Sequence, residues 1–299
     1  MTDEDGAEET GSTLPRRQLG RFLREAREGA GLTLEKSATL MEWGKATLQR
    51  IEKGTTEKVR VRDVLSLCEI YGLSQSKSAI AKGLAEQAPV KSWWQTYSGS
   101  IATWFNLYVG LEAGAKDLAQ FQPLIMPGLL QTAGYARAVD RLYFSDESEE
   151  ELDRRAEVRA QRQNILTRSR NPTTAAFVLH ESMLRTVVGD HRVMAAQYRH
   201  IADLSTHDNI DVRVMPFRAG LPLGTALPPF IILDFGRDVR GKLEEPPVVY
   251  CESYAGSVYL EVQSDVVRFR RAFKIAQGAS LDPRSSRDLL REIAKGVRE

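Results

Sequence analysis

The segment from Thr33 to Gly54 constrains the fold more than any other part of the chain. It holds two short helical patterns with a tight turn between them. Thr33 stands where an N-cap belongs, because its hydroxyl can accept from a first-turn N–H, and Lys36 sits where a capping box would carry Glu. Ala38 and Leu40 read as inward-facing on the first helix. Met41-Glu42-Trp43 makes the turn, and Lys45 to Lys53 form the next helix with Leu48 and Ile51 inward. Gly54 stops it, since glycine takes the left-handed conformation of a helix end without steric cost. Ala38 is small enough for two helices to cross closely, and that crossing turns Lys45, Ala46, Thr47, Gln49 and Arg50 outward.

Helical patterns continue on both sides. Leu19, Phe22, Leu23 and Ala26 fall at i, i+3, i+4 and i+7, which predicts a helix over Arg16–Glu28 that Gly29 and Gly31 end. Val64, Leu65, Cys68 and Tyr71 line one face of a further helix over Val61–Tyr71, and a fifth follows Gly72-Leu73-Ser74 and ends before Pro89. The whole chain is nearly neutral, with 41 Lys and Arg against 40 Asp and Glu. Residues 14–88, however, hold 14 bases against nine acids, while residues 1–13 hold five acids and no base. A basic helical segment in a balanced chain is the footprint of a DNA-binding head. The reading is therefore a disordered acidic tail over 1–13, an all-α five-helix DNA-binding head over 14–88, and a second domain over 93–299.

Past Pro89 the texture changes. Trp93, Trp94, Tyr97, Trp104, Phe105 and Tyr108 crowd into one stretch that reads as a helical connection. Helices are expected around Gly114–Phe121 and Gly128–Leu142, over Glu147–Arg168 and over Met194–Ser205. Runs at Ala175–Leu179, Val212–Met215, Phe230–Phe235, Val248–Cys251 and Val258–Val262 have strand character. Helices around Asp265–Ala276 and Pro283–Val297 close the chain. The second domain is thus expected to be α+β, with a mixed or antiparallel sheet and C-terminal helices. From Pro89 onward it carries 27 bases and 26 acids, without the positive surplus that DNA binding draws on.

Composition narrows the classes further. Hydrophobic residues at 42% and charged ones at 27% fit a folded globular chain. Cys68 and Cys251 are far apart and lack CxxC or His-rich company, which argues against a disulfide framework or a zinc site. No apolar run reaches the ~18 residues of a membrane span. The acidic first residues are the reverse of a signal peptide's basic start. The expectation is a cytoplasmic, nucleoid-associated protein without cofactor or metal. His180-Glu181 at a strand end could offer a general base beside a carboxylate. With only four histidines and no Gly-x-Ser-x-Gly, HExxH, P-loop or GxGxxG pattern, a non-enzyme is expected.

Ser37-Ala-Thr-Leu-Met-Glu-Trp-Gly-Lys-Ala-Thr-Leu-Gln-Arg-Ile-Glu-Lys-Gly54 resembles the helix-turn-helix of the Cro/phage-repressor-like, or xenobiotic-response-element, family. The resemblance implies that the helix carrying Lys45, Ala46, Thr47, Gln49 and Arg50 enters the major groove of double-stranded DNA. Gln49 and Arg50 would bond base edges, and Lys45 a phosphate or a guanine. Arg16, Arg17 and Lys53 would neutralise backbone phosphates. Two positions depart from the family pattern: Glu42 occupies the turn site that is often Gly, and Leu34 a site that is commonly Gln. Glu52 is expected to pair with Arg24 or Arg27 within the head.

Five further motifs are similar to the C-terminal domain of a large actinobacterial regulator family with antitoxin-like members. They are Tyr108-Val-Gly-Leu-Glu-Ala-Gly-Ala, Pro127-Gly-Leu-Leu-Gln-Thr-Ala-Gly-Tyr-Ala, Arg162-Gln-x-Ile-Leu, His180-Glu-Ser-Met-Leu-Arg and Val212-x-Val-Met-Pro-Phe-x-Ala-Gly. Glu112, Gln131, Thr132, Tyr135 and Glu181 are the polar residues set among their apolar ones. Either they cap helices and bridge elements, or they orient a ligand or protein partner. The function expected is a sequence-specific transcriptional regulator on a palindromic operator, whose second domain dimerises and senses a ligand or a small protein encoded nearby. The alternative is an antitoxin-like interaction module that sequesters that protein and binds DNA for autoregulation.

Overall fold

The computed structural model describes residues 14–56, 59–87, 101–237, 241, 243, 245–253 and 256–296. The expected tail over 1–13 and the rings of Trp93, Trp94 and Tyr97 lie outside these residues. The chain divides into two units, Met1–Leu111 and Glu112–Glu299. Among the described residues no helix is long and apolar enough to cross a membrane.

The first unit is helical. Its elements are α1 (Leu14–Gly29), α2 (Leu34–Leu40), α3 (Lys45–Glu52), α4 (Val61–Ile70), α5 (Gln75–Gln87) and the start of α6 (Ile101–Gly114). Leu19 and Leu23 of α1, Ala38 of α2, Leu48 and Ile51 of α3, and Val64, Leu67 and Cys68 of α4 share one buried core. The expectation for Leu40 is corrected. It is 49% exposed, because α2 has only seven residues and buries Ser37 and Ala38 on a face that its last residue does not reach.

Close backbone approach holds α1 to α3. A Cβ at Gly20 would lie 2.5 Å from the Glu52 carbonyl oxygen and 2.6 Å from that of Ile51. Only glycine fits there. The partner contact is Gly54, at φ +67°, whose added Cβ would meet the Arg17 Cα at 2.6 Å.

The second unit is α+β around a six-stranded mixed sheet, ordered β3-β2-β1-β4-β5-β6. The strands are β1 (Asp117–Gln122), β2 (Thr174–His180), β3 (Ile210–Met215), β4 (Phe230–Asp234), β5 (Val248–Ser253) and β6 (Gly256–Leu260). β1 pairs in parallel with β2 and β2 with β3, whereas β4 runs antiparallel to β1 and β5 to β4. The helices are α7 (Ala133–Tyr143), α8 (Glu149–Thr167), α9 (Glu181–Arg185), α10 (His191–Leu204), α11 (Gln263–Gly278) and α12 (Pro283–Gly296).

One face of the sheet carries Phe121, Val178, Met215, Phe230 and Ile232 against Val266, Phe273 and Ala276 of α11. On the other face Leu118, Phe177, Leu179, Val212 and Val214 are buried too, so the parallel strands are covered on both sides. The edge strand β3 is also closed off. The Val214 N–H donates to Ser286 Oγ at 2.9 Å, and its carbonyl accepts from the Leu281 N–H at 2.9 Å. Paired in this way, the edge offers no free ladder to another chain at that point.

Two helix expectations are corrected. Residues 117–122 form a strand where a helix around Gly114–Phe121 was expected. Asp-Leu-Ala-Gln-Phe-Gln has fair helix propensity, but ladders to β2 and β4 on both sides outweigh it in a central strand. The helix expected from Gly128 splits: Gly128–Leu130 is one 3₁₀ turn, and Thr132 then caps α7 by accepting from the Tyr135 N–H at 3.2 Å.

Candidate nucleic-acid interface

The helix pair α2–α3 is built from local signals. Thr33 Oγ1 accepts from the Lys36 N–H at 3.1 Å and starts α2. The Trp43 N–H returns to the Ala38 carbonyl at 2.8 Å and tightens the turn. Glu42 sits at φ +57°, in the left-handed region where this turn often carries Gly. Gly44 precedes α3 without a side-chain cap, and its carbonyl accepts from the Thr47 N–H at 2.9 Å.

With Leu48 and Ile51 buried, α3 presents Lys45, Ala46, Gln49 and Arg50 exposed, and Thr47 half-buried. Lys53, just past the helix, is exposed as well. Lys45 Nζ lies 4.0 Å from a Glu35 carboxylate oxygen, an exposed pair that water screens. Arg16 is half-buried and Arg17 buried at the start of α1, so the Arg17 side chain is not part of this exposed face. Behind α3, Glu52 is buried and clasped by Arg27, with Nε to Oε1 at 2.7 Å and Nη2 to Oε2 at 3.0 Å. Arg24 stands 3.8 Å away at the surface. This pairing holds the Arg27 guanidinium above its ordinary basicity. The charge of Glu52 is thus kept inside the head and off the reading face.

The five polar residues singled out in the second unit have structural partners. Glu112 accepts from Arg162 Nε at 2.7 Å and from Nη2 at 3.0 Å. Gln131 donates to the Met126 carbonyl at 2.7 Å, and the Tyr135 hydroxyl accepts from the Met126 N–H at 3.4 Å. Glu181, in the first turn of α9, accepts from the Phe217 N–H at 3.0 Å and pairs with Arg185. Its carboxyl is held below the ordinary carboxylate range, first by that backbone hydrogen bond.

Two glutamines that sequence reasoning passed over complete the arrangement. Gln197 of α10 accepts from the Thr132 N–H at 2.7 Å and donates to the Leu130 carbonyl at 2.6 Å. Gln163 of α8 donates to the carbonyls of Gly128 and Gln131. The signal was present: Gln197 falls between Met194 and Ile201 on the apolar face of its helix, where a polar side chain needs a buried partner. Together these groups clamp the segment Met126–Thr132.

A core-locked helix pair with an exposed basic and amide-bearing second helix defines a helix-turn-helix module. A helix-turn-helix domain model matches residues 18–79, which marks the chain as a DNA-binding regulator. A second model, described as a domain of unknown function (DUF5753), matches residues 105–292. That is well over half of the chain, and the chain belongs to this family. No curated protein and no solved structure matches it.

Proposed function

We propose that the chain is a sequence-specific transcriptional regulator with a Cro-like head. In this reading α3 lies in the major groove of a palindromic operator. Gln49 and Arg50 bond base edges, Ala46 and Thr47 pack against them, and Lys45 takes a phosphate or a guanine. Lys53 and Arg16 neutralise backbone. Arg17, being buried, drops out of the phosphate set. The observation that carries the reading is the outward face of α3, free of the core on one side and backed by Leu48 and Ile51 on the other.

The DUF5753 domain is assigned the other half of the task, dimerisation and response to a ligand or a small protein partner. Its balanced charge supports a partner other than DNA. An antitoxin-like role, with DNA binding serving autoregulation, differs in one observable: co-purification of a small partner encoded nearby that alters operator affinity.

Genome-wide mapping of bound DNA supplies the operator. On it, Gln49→Ala and Arg50→Ala in the full chain are expected to cost about 1–3 kcal/mol each while leaving the circular dichroism unchanged. An equal loss on scrambled DNA would defeat the base-contact assignment.

A further inference from the structure

At the C-terminal ends of the parallel strands β1, β2 and β3 the second unit holds a half-open cavity of about 220 Å³. Phe121 at the end of β1, His180 at the end of β2, Met215 at the end of β3 and Ala276 of α11 line it, and Pro123, Ser182 and the loop 220–227 complete the wall. The carboxyl ends of parallel strands are where α/β sheets commonly bind small molecules. Here β1, β2 and β3 are parallel and all three end on this side of the sheet, beside the incoming end of β4.

The wall has one chemistry. It contains no Asp, Glu, Lys or Arg, and His180 is its one titratable side chain. The His180 Nδ1 is engaged with Ser182, 2.7 Å from its Oγ and 3.1 Å from its backbone N, and the ring packs edge-on against Phe217 at 5.2 Å. Burial holds this imidazole below its ordinary basicity, which keeps it neutral near pH 7. The ring's other nitrogen, Nε2, has no hydrogen-bond partner among the described residues. A charged guest would find no counter-charge, and burying one unpaired is costly. An apolar cavity of this size suits an apolar guest, since a sealed one of ~150 Å³ already holds benzene.

We infer that this cavity is the ligand site of the DUF5753 domain, and that its ligand is a small uncharged molecule of one or two apolar rings with a single hydrogen-bonding group for His180 Nε2. The inference deepens the sensing role proposed above and rests on it only for the consequence at DNA.

The test uses the full chain with ¹³C-methyl methionine, in which Met215 lies in the cavity wall and Met41 in the head serves as a control. Indole, 4-methylphenol and toluene are neutral probes, and indole-3-acetate and tryptamine are charged ones. Indole is expected to move the Met215 methyl resonance saturably and leave Met41 in place. The charged analogues should bind at least about tenfold more weakly. Ala226→Trp, which fills the cavity from an exposed loop position, should abolish the response, and Thr225→Trp serves if that variant fails to fold. His180→Phe should weaken indole and 4-methylphenol but not toluene.

Met215 unmoved by all three neutral probes, equal binding of the charged analogues, or a response that survives the Trp variant would overturn the assignment. Operator anisotropy on the same samples separates the two readings. An unmoved Met215 with operator binding intact removes the cavity alone. A shifted Met215 with no operator binding supports the cavity and removes the regulator.

Discussion

Arg27, on α1, holds both carboxylate oxygens of Glu52, the last residue of α3, at 2.7 and 3.0 Å, and both side chains are buried. A third guanidinium nitrogen, Nη1, donates to the Leu32 carbonyl at 2.9 Å just before α2. One guanidinium therefore fixes the end of α3 and the start of the helix pair to α1.

Removing one partner leaves a buried charge uncompensated. Glu52→Gln or Arg27→Leu is expected to destabilise the head by about 3–5 kcal/mol. The double variant Arg27→Met/Glu52→Leu should recover most of that loss, because it removes both desolvation costs together. Urea unfolding of the full chain, followed by helical circular dichroism, checks both. A double variant as unstable as the single ones would show that the pair contributes more than its desolvation costs.

Glu42 carries its side chain at φ +57°, a conformation that costs an L-residue roughly 1–2 kcal/mol. Glu42→Gly relieves that strain but frees the unfolded chain, so a net gain of about 0.5–1 kcal/mol is expected. It also removes a negative charge next to the reading helix. Nonspecific DNA affinity should rise at low salt and change little at high salt, where screening is short-ranged. Thermal melts and anisotropy at two salt concentrations measure the two effects.

In the second unit, Gln197 satisfies the Thr132 N–H and the Leu130 carbonyl together. Gln197→Leu keeps the volume and orphans both groups, at about 1–3 kcal/mol each. The expected loss is therefore about 2–6 kcal/mol, with faster amide exchange over 126–132. A loss under about 0.5 kcal/mol would place water or slack backbone where the clamp is drawn.

His180 and His200 are both held below the ordinary histidine value, chiefly by burial, with Glu181 and Asp203 opposing. Their unfolded forms, near 6.5, take up protons first as pH falls. Stability is therefore full above about pH 6.5 and is lost as pH falls from there toward the lower folded values. Melting temperatures between pH 7.5 and 5.5 should decline, and more shallowly in His180→Gln and His200→Gln. An unchanged slope in both variants would assign the decline to other groups.

The parts of this protein legible in its sequence are those decided by neighbours along the chain. The Thr33 cap, the Gly54 stop and the apolar stripes of α1 and α4 depend on spacings of three and four residues. So does the outward set on α3, once Leu48 and Ile51 are taken as core. Strands β2 to β5 were legible because apolar runs of that length, rich in β-branched and aromatic residues, have few other uses. Tertiary structure decided what depends on distant partners. β1 reads as a helix until β2 and β4 flank it. Gly20 is an unremarked helix residue until the carbonyls of Ile51 and Glu52 come within reach of where its Cβ would be. The five polar residues of the second unit admitted a clamp or a ligand site, and only the folded chain shows their bonds: Glu112 with Arg162, Thr132 with Gln197, Gln131 and Tyr135 with the Met126 backbone, and Glu181 with the Phe217 N–H. The cavity beside His180 is the extreme case, since its walls come from three strands, a loop and a helix far apart in sequence. Periodicity and capping act over a single turn of chain, whereas ladders, close approach and cavities exist only once remote segments have met.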